Sequence, residues 1–241
     1  MRQLLALLLL VPTTACASGP STGSGQDAVA LRETVLTADE QAALTPYQVI
    51  ELLREGNRRF VSNDVTLRDH SAMVRKSTDA QYPKAIVLSC VDSRVPVEDV
   101  FDRGIGDVFV ARVAGNFVNE DILGSMEFAC AVSGSKLILV MGHEHCGAVK
   151  AAIAGVELGN ITGMLTKIRP AVETARARYA GAATADNEEF VHEVCEQNVL
   201  DAIASIRLRS PILSGLEGEG RIRIVGAVYD MDTGVVSFLD L

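Results

Sequence analysis

Lys84-Ala85-Ile86-Val87-Leu88-Ser89-Cys90-Val91-Asp92-Ser93-Arg94 joins a short aliphatic run to a segment of reactive and charged residues. A brief apolar run without polar alternation reads as a strand covered on both faces, the habit of parallel sheets. Two more runs have this character, Asp107 to Val113 (DVFVARV) and Lys136 to Gly142 (KLILVMG). Helical spacing is found at about 119–133, 146–154, 161–179 and 187–207. Thr45-Pro46 supplies an N-cap and a first-turn proline for a helix through Phe60, with Val49, Leu52, Leu53 and Phe60 on one face. Arg221 to Tyr229 pairs with Val235 to Leu239 across Asp230-Met231-Asp232-Thr233-Gly234 as a hairpin. The predicted class is α/β, with a mostly parallel central sheet flanked by helices and a C-terminal antiparallel hairpin.

The chain has 241 residues, 48% of them apolar, enough for one sizeable core, and residues 45–241 read as a single domain. A net charge of −9 with no local basic patch repels a phosphate backbone, so no nucleic-acid partner is expected. Aromatic residues make up 5% and Trp is absent, which disfavours base-stacking and sugar-binding platforms and leaves small ligands or ions. At the N-terminus, Arg2 precedes an apolar run from Leu4 to Val11 that is too short to span a bilayer, followed by the small-residue region Pro12-Thr13-Thr14-Ala15-Cys16-Ala17. Residues 1–17 are therefore read as an export signal, and the protein as periplasmic. Two processing routes are open: cleavage after Ala17, or lipidation of Cys16, which would make this lipid the only membrane attachment. Residues 18–44, opening with Ser18-Gly19-Pro20-Ser21-Thr22-Gly23-Ser24-Gly25, are read as a flexible tether.

Ligand sites in such sheets lie beyond the carboxyl ends of the strands. The first strand runs into Cys90-Val91-Asp92-Ser93-Arg94 and the third into Gly142-His143-Glu144-His145-Cys146-Gly147. If these strands are near neighbours, Cys90, His143 and Cys146 come within reach of one ion, and two thiolates with an imidazole suit zinc. Asp92 can take a fourth position or accept a hydrogen bond from a metal-bound water, and Arg94 can hold that carboxylate ionised. Three firm ligands, one contested position and a carboxylate–guanidinium pair describe a catalytic zinc site. Cys90 also has a rival reading as a nucleophile, but a phosphate-cradling C-x5-R loop requires arginine where Pro96 stands. His145, beside His143, is read as pointing elsewhere than the metal position and is not taken as a ligand; His70 and His192 are assigned to the surface. Cys130 and Cys195 sit on apolar helical faces and are assigned to the core.

Cys90-Val91-Asp92-Ser93-Arg94-Val95-Pro96 and Gly142-His143-Glu144-His145-Cys146-Gly147-Ala148 resemble the two signature segments of the β-class carbonic anhydrases. The similarity extends to Gly56-Asn57-Arg58-Arg59-Phe60, to Phe101-Asp102-Arg103-Gly104-Ile105-Gly106-Asp107 and to Arg112-Val113-Ala114-Gly115-Asn116, and covers roughly residues 45 to 239. The resemblance implies one Zn²⁺ per chain on Cys90, His143 and Cys146, and reversible hydration of CO2 to bicarbonate and a proton by zinc-bound hydroxide. It implies that Asp92 orients the hydroxide and that Arg94 locks Asp92, and that in a closed form Asp92 itself moves onto zinc. The regulatory bicarbonate pocket of some members contains a Trp, which this sequence lacks, so an open, water-bound site is expected near neutral pH. The resemblance also implies a homodimer or dimer of dimers, with the N-terminal helix and terminal hairpin in the contacts. Arg112 and Asn116 match a recurrent segment and are read as structural, with a place in the pocket as the alternative. Two alternatives stand beside it: hydrolysis of carbon disulfide or carbonyl sulfide on the same scaffold, and a non-enzymatic zinc-binding lipoprotein.

Overall fold

The computed structural model describes residues 34–239. The three aliphatic runs become β1 (Ala85–Ser89), β2 (Val108–Arg112) and β3 (Leu137–His143), and the terminal hairpin becomes β4 (Arg223–Tyr229) and β5 (Val236–Phe238). They form one sheet in the order β2-β1-β3-β4-β5, in which only β5 runs antiparallel to its neighbour. The expected α/β class with a parallel centre and an antiparallel end is what the chain adopts.

Alternation along the strands divides the core between the two faces of the sheet. Ile86, Leu88, Ile138, Val140 and Ile224 face one layer of helices, which includes α5 (Glu120–Glu127), α9 (Glu188–Arg209) and α10 (Pro211–Gly218). Val87, Leu137, Leu139, Met141 and Ala227 face the other, which includes α2 (Pro46–Val61) and α4 (Val97–Val100). All of these side chains are buried, so both faces are dry and the strands need no polar alternation. A third apolar cluster gathers at the carboxyl end of the sheet, where α6 (Gly147–Ala154), α8 (Arg169–Arg178) and the start of α9 surround Cys90 and Cys146. Cys130 and Cys195 are both buried, as expected.

The observed elements differ from the sequence reading in several places. The segment 161–179 is two helices, α7 (Gly159–Leu165) and α8, because Pro170 lacks an N–H and takes a first-turn position in a new helix. The segment 119–133 is α5 followed by a π-turn over Phe128–Val132, closed by Ser133 N–H donating to Phe128 O. Short helices α3 (His70–Lys76), α4 and α10 were not anticipated. The stretch read as a tether holds a helix at its end, α1 (Ala38–Ala43). A Thr37/Glu40 capping box starts it, and Gln41 anchors it by donating to the carbonyls of Pro83 and Ser133, so these residues are tied to the sheet. Cys16 and residues 1–33 lie outside the described residues.

The helix α2 is fixed to the sheet through Gly56 and a buried carboxylate. A Cβ at Gly56 would lie 1.8 Å from the carbonyl oxygen of Phe101, so only glycine permits this approach. Asp102, next in the chain, is 1% exposed and left-handed (φ +48°). Its carboxylate accepts from Arg59 Nε, from Thr66 N–H (3.1 Å) and Oγ1 (2.7 Å), and pairs with Arg68 Nη1 at 2.8 Å. Burial alone would raise its pKa, but these donors outweigh it and bring the group down to about 2. A depressed carboxylate stabilises the fold above its unfolded value of about 4, and that contribution disappears as pH falls toward 2. Asp102→Asn leaves two arginines facing a neutral amide and is expected to cost about 3 kcal/mol at pH 7. In urea titrations the gap to wild type narrows between pH 4 and 2.5; an unchanging gap would show that the charge is not what holds this loop.

Candidate metal centre

Two adjacent parallel strands deliver the cluster. In the β1–β3 register Leu88 lies opposite Val140, so the residues leaving β1 and the end of β3 emerge side by side. Cys90 follows β1 immediately, His143 ends β3, and Cys146 is the N-cap of α6. The three ligand atoms all lie within 4.8 Å of one another, and the three residues are 1–4% exposed. Gly142 permits this packing from behind, since a Cβ there would sit 2.7 Å from Cys195 Sγ and 3.0 Å from Val199 on α9. Cys195 is a core residue whose thiol donates to the His143 carbonyl at 3.4 Å.

The donor set fits a zinc-type cation. His143 Nδ1 donates to Glu144 O at 2.7 Å and lies 3.1 Å from Met231 Sδ, which places the proton on Nδ1 and leaves the Nε2 lone pair free. Nε2 is buried and has no hydrogen-bond partner among the described residues, an orphan that a metal ion would satisfy. Cys90 Sγ accepts a backbone bond from Gly115 N–H at 3.3 Å. Its thiol is pulled well below the ordinary value, first by the hydrogen bond from the Cys146 thiol, with burial opposing and His143 and Gly115 assisting. The same bond, together with burial, pushes Cys146 upward. A divalent cation held here would take both cysteines as thiolates.

Asp92 and Arg94 stand at the rim. Arg94 donates through Nε to Asp92 Oδ1 (2.9 Å) and through Nη2 to Oδ2 (2.8 Å), a two-pronged pair, and the Arg94 amide adds a third bond to Oδ1 at 3.0 Å. This arginine holds the Asp92 carboxyl far below the usual carboxylate range and so favours its ionised form. Asp92 does not belong to the metal-ligand cluster and faces Arg94. His145 is left-handed (φ +54°), turning its ring toward Glu188 (3.0 Å) and Asp232 (3.4 Å) and its carbonyl toward Arg94 Nη2 (3.4 Å).

Sequence reasoning missed several supports. His192 lies at the surface as read, its side chain 41% exposed, but it also pairs through Nδ1 with Glu144, a carboxylate that raises it to about 9 against the opposing effect of burial. Asn198 is buried on α9 and donates to Gly115 O at 2.8 Å, steadying the turn whose amide meets Cys90. The 112–116 segment was visible in the sequence, but its partner on α9 carried no local signal. His70 opens α3 and is exposed.

Comparison with known proteins agrees with this geometry. A family profile described as carbonic anhydrase matches residues 85–236. Carbonic anhydrase 2 of Mycobacterium tuberculosis is 35% identical over 195 residues, covering 78% of this chain and 90% of that one. The solved β-carbonic anhydrase of Coccomyxa, in complex with acetazolamide, superposes with a TM-score of 0.63 at 26% identity, covering 80% of this chain and 85% of that one. A tetrameric β-carbonic anhydrase from Sordaria macrospora shares the fold, with a TM-score of 0.62 at 24% identity over 69% of this chain and 85% of that one. The fold and the Cys-His-Cys cluster define a metal-site enzyme on a parallel sheet. The chain belongs to the carbonic anhydrase family, in its β class.

His143→Ala removes the only imidazole from the cluster. Zinc affinity is expected to fall by more than the roughly 10–100-fold that loss of an outer-shell partner causes. Chelator competition with metal quantification checks this, with circular dichroism confirming that the sheet persists; undiminished affinity would remove His143 from the ligand set.

Proposed function

We propose that this enzyme holds one Zn²⁺ per chain on Cys90, His143 and Cys146 and interconverts CO2 and bicarbonate, with Asp92 and Arg94 orienting the nucleophile. The observation that carries the reading is the orphaned, buried Nε2 of His143 beside two cysteine sulfurs, with an ionised carboxylate at the rim. Zinc in such a site supplies Lewis acidity that brings the pKa of water from 15.7 to about 7.

The protein's own part is electrostatic and geometric. Asp92 Oδ1 is occupied by two donors from Arg94, whereas Oδ2 accepts only Arg94 Nη2 among the described residues. A lone pair on Oδ2 therefore remains to accept the O–H of the attacking water, directing the oxygen's own lone pair toward the CO2 carbon. Because Arg94 donates through two nitrogens, the carboxylate cannot rotate away without losing both bonds. The apolar wall around Cys90 and Cys146, from Phe117, Val149, Ile153 and Val191, suits a small nonpolar substrate and excludes bulk water.

The same proposal covers assembly and location. The exposed edge of β2, the α2 helix and the terminal hairpin are offered for contacts in a homodimer or dimer of dimers, a state supported by the tetrameric relative of the same fold. An export signal over residues 1–17 places the enzyme in the periplasm, either free after cleavage or anchored through a lipid on Cys16.

Stopped-flow CO2 hydration with zinc quantified in the same sample tests the catalytic reading. The wild type is expected to carry about one zinc per chain and to turn over CO2. Asp92→Ala is expected to keep its zinc and lose roughly 100-fold or more in kcat, the scale of a misoriented reacting group. A zinc-loaded wild type without CO2 hydration at any pH would transfer the case to the sulfur-containing triatomics or to a structural metal.

A further inference from the structure

The geometry points to Arg112 as the positioning residue that holds the Asp92–Arg94 loop against the sheet, an inference that rests on the catalytic reading of that pair. Arg112 ends β2 and lies opposite Ser89, the last residue of β1, so its side chain starts beside the place where the loop leaves the sheet. Its guanidinium donates to three carbonyls of that loop: Nη1 to Cys90 O at 3.5 Å and to Asp92 O at 3.4 Å, and Nη2 to Val95 O. Among the described residues no carboxylate pairs with it.

These three contacts differ in kind from the loop's other bonds. Val95 N–H to Asp92 O, Arg94 N–H to Asp92 Oδ1 and the Arg94–Asp92 pair itself all join residues within 92–95. They fix the shape of the loop; its place over the metal centre depends on the burial of Val95 in the core and on bonds that come from outside the loop. Two other ties leave the loop, each at one point only, Arg94 Nη2 to His145 O at 3.4 Å and Gly115 N–H to Cys90 Sγ at 3.3 Å. Arg112 alone bonds the backbone at both ends and in the middle. Past Ser89 the loop's carbonyls have no neighbouring strand to receive them, and a planar fork of five donors can serve several at once, which an ammonium cannot match. A displacement of about 1 Å at a reacting carboxylate is enough to lose about 100-fold in rate, so a residue that locates Asp92 acts on turnover without touching substrate.

Hydrogen–deuterium exchange of the zinc-loaded protein, read beside zinc affinity and CO2 hydration kinetics, separates this role from general stability. Arg112→Ala is expected to speed exchange across residues 90–97 about tenfold while α2 and α9 keep wild-type rates. Its kcat falls about 10–100-fold with KM nearly unchanged, and millimolar guanidinium partly restores it; Arg112→Lys falls between. Unchanged exchange in 90–97, or equal acceleration throughout the sheet and α9, overturns the proposal. If Arg112→Ala does not fold, Arg112→Lys carries the same comparison. A wild type that binds zinc and leaves CO2 unhydrated defeats the catalytic reading alone, because the exchange arm still decides whether Arg112 holds the loop.

Discussion

The parallel register between β1 and β3 is the constraint on which the rest depends. With Leu88 opposite Val140, Cys90 and His143 leave the sheet at one edge of its carboxyl end. A slip of one residue would turn every side chain of one strand to the opposite face, exchanging the layers that cover Ile138 and Leu139 and carrying His143 away from Cys90. The two-sided burial of the strands enforces the register, since each slip exchanges side chains fitted to different helices. Hydrophobic packing thus supplies the precision that the ligand cluster requires, and the ligands add little to the choice of fold.

A gradient of order runs outward from that edge. Cys90, His143 and Cys146 are almost fully enclosed, Asp92 is partly covered, and the side chain of Arg94 is 56% exposed. The enclosed ligand atoms and the exposed rim thus differ sharply in their access to solvent. Burial opposes ionisation of the sulfurs, and the hydrogen bonds converging on Cys90 offset that penalty. At the rim, the pairing of Asp92 with Arg94 does the same for the carboxylate at much smaller desolvation cost.

Much of this was legible in the sequence because the relevant signals are local. Aliphatic runs announced the three central strands, and C-x-D-x-R and H-x-x-C each sit within a few residues. Where the signal is non-local the reading stopped. Asn198 and Gly115 meet through packing of α9 against a turn, and nothing near either residue advertises the other. His192 is at the surface as its polar neighbours suggested, but its partner Glu144 lies 48 residues away in the turn after β3, with no local signal. The break at Pro170 could have been read, since proline inside a helical pattern is a stop; the α1 helix was obscured by the glycine- and serine-rich composition preceding it.

His143 is touched from the far end of the chain, through Met231 Sδ in the β4–β5 turn, and α9 presses on Gly142 from the segment before. The ribosome delivers Cys90, His143 and Cys146 well before Cys195 and Met231. During synthesis the early sulfurs therefore exist without the walls that shape them, and long-range contacts of this kind form late. A chain broken off before its final hairpin would carry the three ligand residues without the Met231 contact that completes their surroundings.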